Sequence, residues 1–484
     1  MAYVIVGDNR HIMIPDLGRF RTGTGRLNGI RCIHTHLFEE PLTKDDITDL
    51  VLLGLDLMVC IQAGKEGIPG RISYAHILPE NPQGKGWQVS DIPDLGQLDL
   101  DFDGFIQSLE DELSRRNGRK TLASEERAVL VGVGTGTAGD ARESLAELKA
   151  LAESNNLEVM DAVVQNVKKA NPRFLIGKGR LSDLVLRCLQ TGSNLLVFDN
   201  ELTPAQVKTL TDSTELKIID RSQLILDIFS RRAVTREGKI QVELAQLKYL
   251  LPRLATKNTA MSRLTGGIGG RGPGETKLEV NRRRARERIA RLNRELKKIS
   301  RQREERRRLR NSKGLPVISI VGYTNAGKST LLNILTRSKV GARNRLFETL
   351  DPSSRRLRFP REREAIITDT VGFIRSLPDS LMEAFAATLE ELNDADLLLH
   401  VVDAASPRME EQIEIVDGVL GKLELKGIPT LLVFNKADLI TPLEAIGLEK
   451  MSDGVAISAL NPETCHPLLA RIEEFLWSDR YNDL

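Results

Sequence analysis

The residues most able to do chemistry lie in one run: Gly322-Tyr323-Thr324-Asn325-Ala326-Gly327-Lys328-Ser329, followed by Thr330. Glycines let backbone N–H groups close on phosphate oxygens, and the positive end of a following helix adds to the attraction. In such a loop Lys328 reaches the β- and γ-phosphates of a nucleotide, and the Ser329 hydroxyl ligates Mg²⁺. The alternative is a tight turn that binds nothing. Eight ordered positions between a strand and a helix speak against it. The apolar stretch 317–321 predicts that strand, buried. Leu331, Leu332, Ile334 and Leu335 are spaced as one face of the helix.

Three more motifs follow in the order a guanine-nucleotide switch needs. Asp369-Thr370-Val371-Gly372 closes the apolar run 365–367. An Asp there can hold the Mg²⁺ shell, and Gly372 can offer its N–H to a γ-phosphate. Asn435-Lys436-Ala437-Asp438 closes a predicted strand at 431–434. The Asp438 carboxylate would accept two hydrogen bonds from the N1 and N2 edge of guanine; adenine has no matching pair of donors. Ser458-Ala459 ends the short strand 455–457 and suits the last base-contacting loop. Each tetrapeptide is weak alone. At the ends of successive strands they predict an α/β P-loop GTPase domain with a doubly wound, mostly parallel sheet.

Two residues bear on mechanism. Phe373 follows Gly372, where many GTPases carry a water-orienting Gln. Phe cannot orient water, so hydrolysis by the chain alone should be slow and a partner should complete the site. Asn325 leaves two readings open. Related GTPases with Asn in that place can use a potassium ion beside the phosphates; otherwise Asn325 satisfies the loop backbone.

At 484 residues the chain has room for two to four domains. No apolar run nears the eighteen or so residues of a membrane span. The start, Met1-Ala2-Tyr3-Val4, lacks a basic segment followed by an apolar one, so no secretory signal is expected. Cys32, Cys60, Cys188 and Cys465 lie far apart with no CxxC, which predicts a reducing cytosol and no disulfide framework. A cytoplasmic monomer without a membrane partner is expected.

The net charge of +2 hides an asymmetry. Residues 1–125 hold 13 Lys+Arg against 19 Asp+Glu, and residues 315–484 hold 18 against 26. The middle, 126–314, therefore carries +16. A basic block between acidic ones suggests a nucleic-acid footprint on one module. It is densest over 275–313, with 17 Lys+Arg against 6 Asp+Glu. There Leu278, Ala285, Ile289, Leu292, Leu296 and Ile299 recur at the spacing of a packed helical seam. Leu244, Leu247 and Leu251 supply a partner, so 233–314 reads as an antiparallel helical hairpin. Its tip, 265–274, has six glycines in ten residues, with Arg271 among them. Charged helix faces are often merely solvated, but an excess of +11 over 39 residues favours RNA phosphates. Aromatics make up only 4% of the chain and are absent from the tip, which favours shape and phosphate recognition over base stacking.

Residues 126–232 alternate strand-like and helix-like runs. Strands are predicted at 128–133, 159–164, 195–198 and 216–219, and Leu145, Leu148 and Leu151 mark a helix. That is a small α/β domain with a mainly parallel sheet. Gly132, Gly134 and Gly136 resemble a nucleotide loop, but no acidic residue ends the next strand, which favours a plain strand-to-helix turn. In 1–125, a region of unassigned role, residues 51–59 suggest buried structure and 81–96 a loop or linker. Cys32, His34 and His36 alternate along a predicted strand, so all three share a face. They could bind a metal. No matching ligand pair lies nearby in sequence, so a partly buried strand face is the expectation.

These motifs together resemble the HflX family, ribosome-associated GTPases of the Obg–HflX group. Further likeness lies in Ile219-Asp220-Arg221, Leu224-Ile225-Leu226-Asp227-Ile228-Phe229, Gln241-Val242-Glu243-Leu244-Ala245-Gln246-Leu247 and Gly269-Gly270-Arg271-Gly272-Pro273-Gly274-Glu275-Thr276-Lys277. Phe347-Glu348-Thr349-Leu350-Asp351-Pro352 matches the family's switch I and makes Thr349 the second hydroxyl on the Mg²⁺ side. The family also replaces the Gln by a hydrophobic residue, as Phe373 does. The resemblance covers about 126–478. It implies binding to the large ribosomal subunit and its rRNA, and in some members GTP-dependent separation of stalled or idle ribosomes. An ATP-linked RNA-remodelling activity is ascribed to the family's N-terminal part, but no second Walker loop supports it here. Residues 1–125 extend beyond the usual family start, and the chain shows no counterpart of the extra C-terminal domain of some members. Two rival functions stay open: a GTPase of ribosome assembly, and a nucleotide-dependent metabolic enzyme using Gly132 to Gly136.

Overall fold

The computed structural model describes the chain apart from residues 1–3, 8–26, 38–39, 65–66, 80, 82–84, 98–100, 116–125, 135–137, 168–169, 215, 255–276, 312–313, 337–346, 348–352, 360–362, 371, 376–389, 426 and 478–484. It divides into two compact units, Met1–Arg221 and Ser222–Leu484. Among the described residues no helix is long and apolar enough to cross a membrane. All four cysteines are free.

The first unit opens with a four-stranded sheet of β1 (Arg31–His36), β2 (Leu57–Ala63), β3 (Pro69–Ile77) and β4 (Trp87–Ile92), in that order. β1 runs parallel to β2, and the other neighbours are antiparallel. The parallel crossover is made by α1 (Lys44–Leu52), whose start is fixed by a capping box between Thr43 and Asp46. β4 corrects the expectation of a loop at 81–96. Its Gly- and Pro-rich flanks mask a six-residue edge strand, with Trp87 and Val89 left exposed. After α2 (Phe102–Arg115) comes a second, wholly parallel sheet: β5 (Arg127–Gly134), β6 (Glu158–Asn166), β7 (Leu195–Phe198) and β8 (Lys217–Asp220), in the order β6-β5-β7-β8. Helices α3 (Ala138–Ser154), α4 (Lys178–Thr191) and α5 (Pro204–Ser213) make its crossovers, as the alternating pattern predicts. Leu145, Leu148 and Leu151 are buried. One core includes Leu50, Leu55 and Met58 together with Val131, Leu184 and Phe198, so apolar packing continues across residue 125. A Cβ on Gly134 would meet Ala141 Cβ at 2.8 Å and Asn166 Oδ1 at 3.0 Å, which accounts for that glycine by close packing of α3 on β5. Gly136 lies outside the described residues.

In the second unit α6 (Arg221–Arg232) leads to the helical pair α7 (Arg236–Leu254) and α8 (Lys277–Asn311). Ile240, Leu244 and Leu292 form its buried seam, with Leu247, Ile289, Leu296 and Ile299 against them. Arg236 pairs with Glu295, and Arg288 with Glu243. Partners that descend along α8 as they ascend α7 make the pair antiparallel. The glycine-rich tip lies outside the described residues.

The remaining sheet has six strands in the order β10-β11-β9-β12-β13-β14. These are β9 (Val317–Gly322), β10 (Ser353–Arg358), β11 (Glu364–Asp369), β12 (Leu397–Asp403), β13 (Thr430–Asn435) and β14 (Val455–Ala456). Only the edge strand β10 is antiparallel to its neighbour. Strands of a parallel sheet are covered on both faces and so read as continuous apolar runs. β9 is buried at every position. Helices α9 (Lys328–Thr336), α10 (Met409–Lys422), α11 (Pro442–Ser452) and α12 (Cys465–Trp477) complete the domain.

Candidate active site

The phosphate loop is shaped where β9 ends. Gly322 has a φ of +147°, and a Cβ there would meet the Val401 carbonyl oxygen at 2.2 Å. A backbone atom of a central strand cannot move aside, so only glycine lets the loop leave beside β12. Gly327 has a φ of +94°, and its Cβ would lie 2.1 Å from Asn435 Nδ2. Between them Asn325 is exposed with a φ of +62°, a left-handed conformation that Asn tolerates. That gives Asn325 a conformational reason beside the two readings its sequence left open.

Lys328, the first residue of α9, is buried, and its ammonium donates to the Tyr323 carbonyl at 2.7 Å. Burial pulls its pKa down to about 8, against the opposing attraction of Asp369. Ser329 Oγ donates to Asp369 Oδ2 at 2.6 Å. Hydroxyl and carboxylate side by side are the hard oxygen donors that suit Mg²⁺. A Cβ on Gly372 would lie 2.9 Å from Lys328 Nζ and 2.8 Å from Thr324 Cγ2, so the backbone after β11 comes directly against the ammonium. Phe373 is tied to the loop by its main chain. Its N–H donates to the Gly322 carbonyl at 3.1 Å, and its carbonyl accepts from the Thr324 N–H at 2.7 Å. Its side chain is 2% exposed.

At the other end Asn435 links two loops. Its Nδ2 donates to the Ala326 carbonyl at 2.7 Å and its Oδ1 accepts from the Ala459 N–H at 2.8 Å. Lys436 has a φ of +63°, and its ammonium donates to Asp403 Oδ2 at 2.6 Å. Asp438 is exposed on the 3₁₀ turn Ala437–Leu439, whereas Ser458 and Ala459 are buried. Thr330 is half-buried within α9. The structure thus gathers the loop 322–329 with Asp369, Gly372, Asn435 and Ala459. Thr349 lies outside the described residues.

Sequence reasoning passed over His400, a lone imidazole in the apolar strand β12. It is buried, and burial together with the Lys328 charge pulls its pKa down to about 4 from 6.5. The unfolded chain therefore takes up this proton first as pH falls, and stability is lost between about pH 6.5 and 4. The shift corresponds to about 3 kcal/mol at the acid end. Urea unfolding across this range should show the native chain losing roughly that much more stability than His400→Leu. Equal slopes would mean that His400 is charged in the folded protein.

Three family models match in sequence: GTP-binding GTPase N-terminal over residues 142–230, GTP-binding GTPase Middle Region over 232–310, and 50S ribosome-binding GTPase over 317–436. The GTPase HflX of Caldanaerobacter subterraneus subsp. tengcongensis is 47% identical over 355 residues, covering 73% of this chain and 82% of the relative. The GTPase HflX of Escherichia coli is 45% identical over 319 residues, covering 66% and 75%. Among solved structures, a GTP-binding protein from Sulfolobus solfataricus in complex with GDP is 25% identical, with a TM-score of 0.41, covering 72% of this chain and 99% of that one.

Proposed function

The chain belongs to the HflX family of GTPases, and from that premise we propose a guanine-nucleotide switch that binds the large ribosomal subunit and separates stalled or idle ribosomes. The observation that carries the proposal is the basic hairpin. The apolar seam takes one side of α8, and Arg283, Arg284, Arg286, Arg294, Lys297 and Lys298 are exposed. A rigid helical pair holding guanidinium and ammonium groups outward fits the phosphate lattice of folded rRNA. The matched model described as a 50S ribosome-binding GTPase agrees with that partner.

The chemistry belongs to the loop. The Gly322–Ser329 amides and Lys328 hold the phosphates and stabilise charge on the γ-phosphoryl group as it transfers. Gly372 offers its N–H to the same group. Mg²⁺, held by Ser329 and Asp369 with Thr349 as a further hydroxyl, neutralises phosphate charge when bound. Asp438 reads guanine, Lys436 and Asn435 brace its loop, and Ser458-Ala459 closes over the base. Asn325 is the place for a potassium ligand. The protein acts in the cytoplasm as a monomer built of four parts, 1–125, 126–232, 233–314 and 315–484.

Replacing Arg282, Arg283, Arg284 and Arg286 by Gln tests the hairpin. Binding to purified large subunits should weaken, and each lost phosphate contact should flatten the log–log salt slope by about 0.7 to 0.9. GTP binding by the free variant should persist. An unchanged slope and affinity in a sedimentation series would reduce the charge run to a solvated helix face.

A further inference from the structure

The expectation that Cys32, His34 and His36 form only a strand face did not reckon with what two other elements bring to it. His34 pairs in register with Cys60 of β2, directly across the parallel ladder. One ligand atom from each of His34, His36 and Cys60 lies within 4.8 Å of the others. His34 Nε2 and His36 Nε2 face each other at 3.1 Å. The Asp46 carboxylate, from the first turn of α1, lies 3.3 Å from His34 Nε2 and 3.5 Å from His36 Nε2. Two nitrogens bound to one tetrahedral zinc, each at about 2.0–2.1 Å, stand about 3.3 Å apart.

The surroundings favour a cation over a chance cluster. His36 Nδ1 lies 3.0 Å from the Glu40 carbonyl. A carbonyl only accepts, so the hydrogen sits on Nδ1 and the lone pair of the neutral ring is left on Nε2. That lone pair points at His34 Nε2. Metal-bound histidines are oriented in this way, by a backbone carbonyl at the far nitrogen. Asp46 is oriented too. Its Oδ2 accepts from Thr43 N–H at 2.7 Å and Thr43 Oγ1 at 2.8 Å, which steadies the carboxylate beside both rings. The side chain of His34 is 9% exposed, and its Nδ1 is buried with no hydrogen-bond partner among the described residues. Cys60 is fully buried, whereas the His36 side chain keeps 17% exposure and leaves a way in from the sheet edge.

We propose that His34, His36, Cys60 and Asp46 form a structural zinc site that clasps β1, β2 and the start of α1. Two imidazoles, one thiolate and one carboxylate suit borderline-soft Zn²⁺ and not Mg²⁺ or Ca²⁺, which take oxygen ligands. With four protein ligands the site is closed, and its role is to hold the N-terminal sheet. Zinc displaces the thiol proton of Cys60, so uptake releases protons and weakens as pH falls.

Tag-free full-length protein, stripped with chelator and returned to Mg²⁺–GDP buffer, is titrated with Co²⁺ and then Zn²⁺. One equivalent of Co²⁺ should give a thiolate charge-transfer band, which the all-oxygen nucleotide site cannot produce, and Zn²⁺ should abolish it. Cys60→Ser should remove the band and weaken zinc binding at least tenfold. The double variant His34→Ala, His36→Ala should bind no zinc there. Thr43→Val, which removes the hydroxyl bond to Asp46 and keeps the main-chain one, should weaken zinc binding by about tenfold. Cys465→Ser should change nothing. The site is overturned if the stripped native protein gives no band, or if Cys60→Ser keeps it. The native titration decides alone should a variant fail to fold.

Discussion

Mixed in single turnover with the isolated protein, GTP should be cleaved slowly, at about 10⁻⁴ to 10⁻² s⁻¹, the range of switches that lack a completed site. Purified large subunits should raise that rate by about 10³-fold or more, the scale on which a missing catalytic element is supplied in trans. The residue that ordinarily orients water is replaced by Phe373, whose side chain is buried and whose backbone is bonded to Gly322 and Thr324. Neither its chemistry nor its placement can bring a water to the γ-phosphate. Lys328 and Gly372 already stand together, so on the proposed reading the groups that meet the γ-phosphate should need no rearrangement. What a subunit should add is a positioned water in line with the γ-phosphate. Potassium should accelerate the reaction more than sodium if Asn325 ligates the ion. The measurement is single-turnover hydrolysis with and without subunits in each salt. Fast cleavage by the protein alone, indifferent to subunits, would mean that water is positioned from within.

What could be read in the sequence was set by locality. The phosphate loop, the strand before it and the helix after it are contiguous, and each motif marks the end of its own strand. Lys328 and Ser329 accordingly open α9, Asp369 and Asn435 close β11 and β13, and the four strands of the parallel sheet in the first unit lie where their apolar runs predict. The hairpin seam followed from helical period, since Leu244 and Leu292 need only face each other once the chain turns back. The partly buried strand face expected of Cys32, His34 and His36 is what β1 shows, and what the sequence could not carry is register between distant strands. Cys60 is far from His34 in the chain and is its direct ladder partner only after β1 and β2 pair in parallel. Asp46 reads locally as a capping residue, which it is, and only the crossover of α1 sets its carboxylate beside both histidines. His400 sits inside an apolar strand, where a single polar residue is easily taken for noise. Its lowered pKa comes first from burial in that strand and then from the Lys328 charge, neither of which a lone His in a sequence announces. β4 was missed for another reason, since the glycines and prolines flanking it outweigh a six-residue alternation.

Asp438→Asn should move the protein from guanine to xanthine nucleotides. The carboxylate is exposed at the tip of its 3₁₀ turn, while Asn435 and Lys436 carry the bonds that hold the loop. The substitution therefore changes what the loop offers a base without removing what positions it. A carboxylate accepts from guanine N1–H and N2–H. The amide keeps one acceptor, and its NH₂ turns a donor toward the guanine amino group. Loss of the charge-assisted pair costs about 1.5–3 kcal/mol, roughly 10- to 150-fold in GTP affinity. Xanthine carries a carbonyl where guanine has its amino group, so the same NH₂ finds an acceptor and xanthosine triphosphate should bind the variant more tightly than GTP does. At saturating xanthosine triphosphate, stimulation by large subunits should return, because Lys328, Ser329 and Gly372 are untouched. Titration of labelled nucleotides decides the matter. GTP affinity equal to that of the native chain, with no gain for the xanthine nucleotide, would show that Asp438 does not read the base.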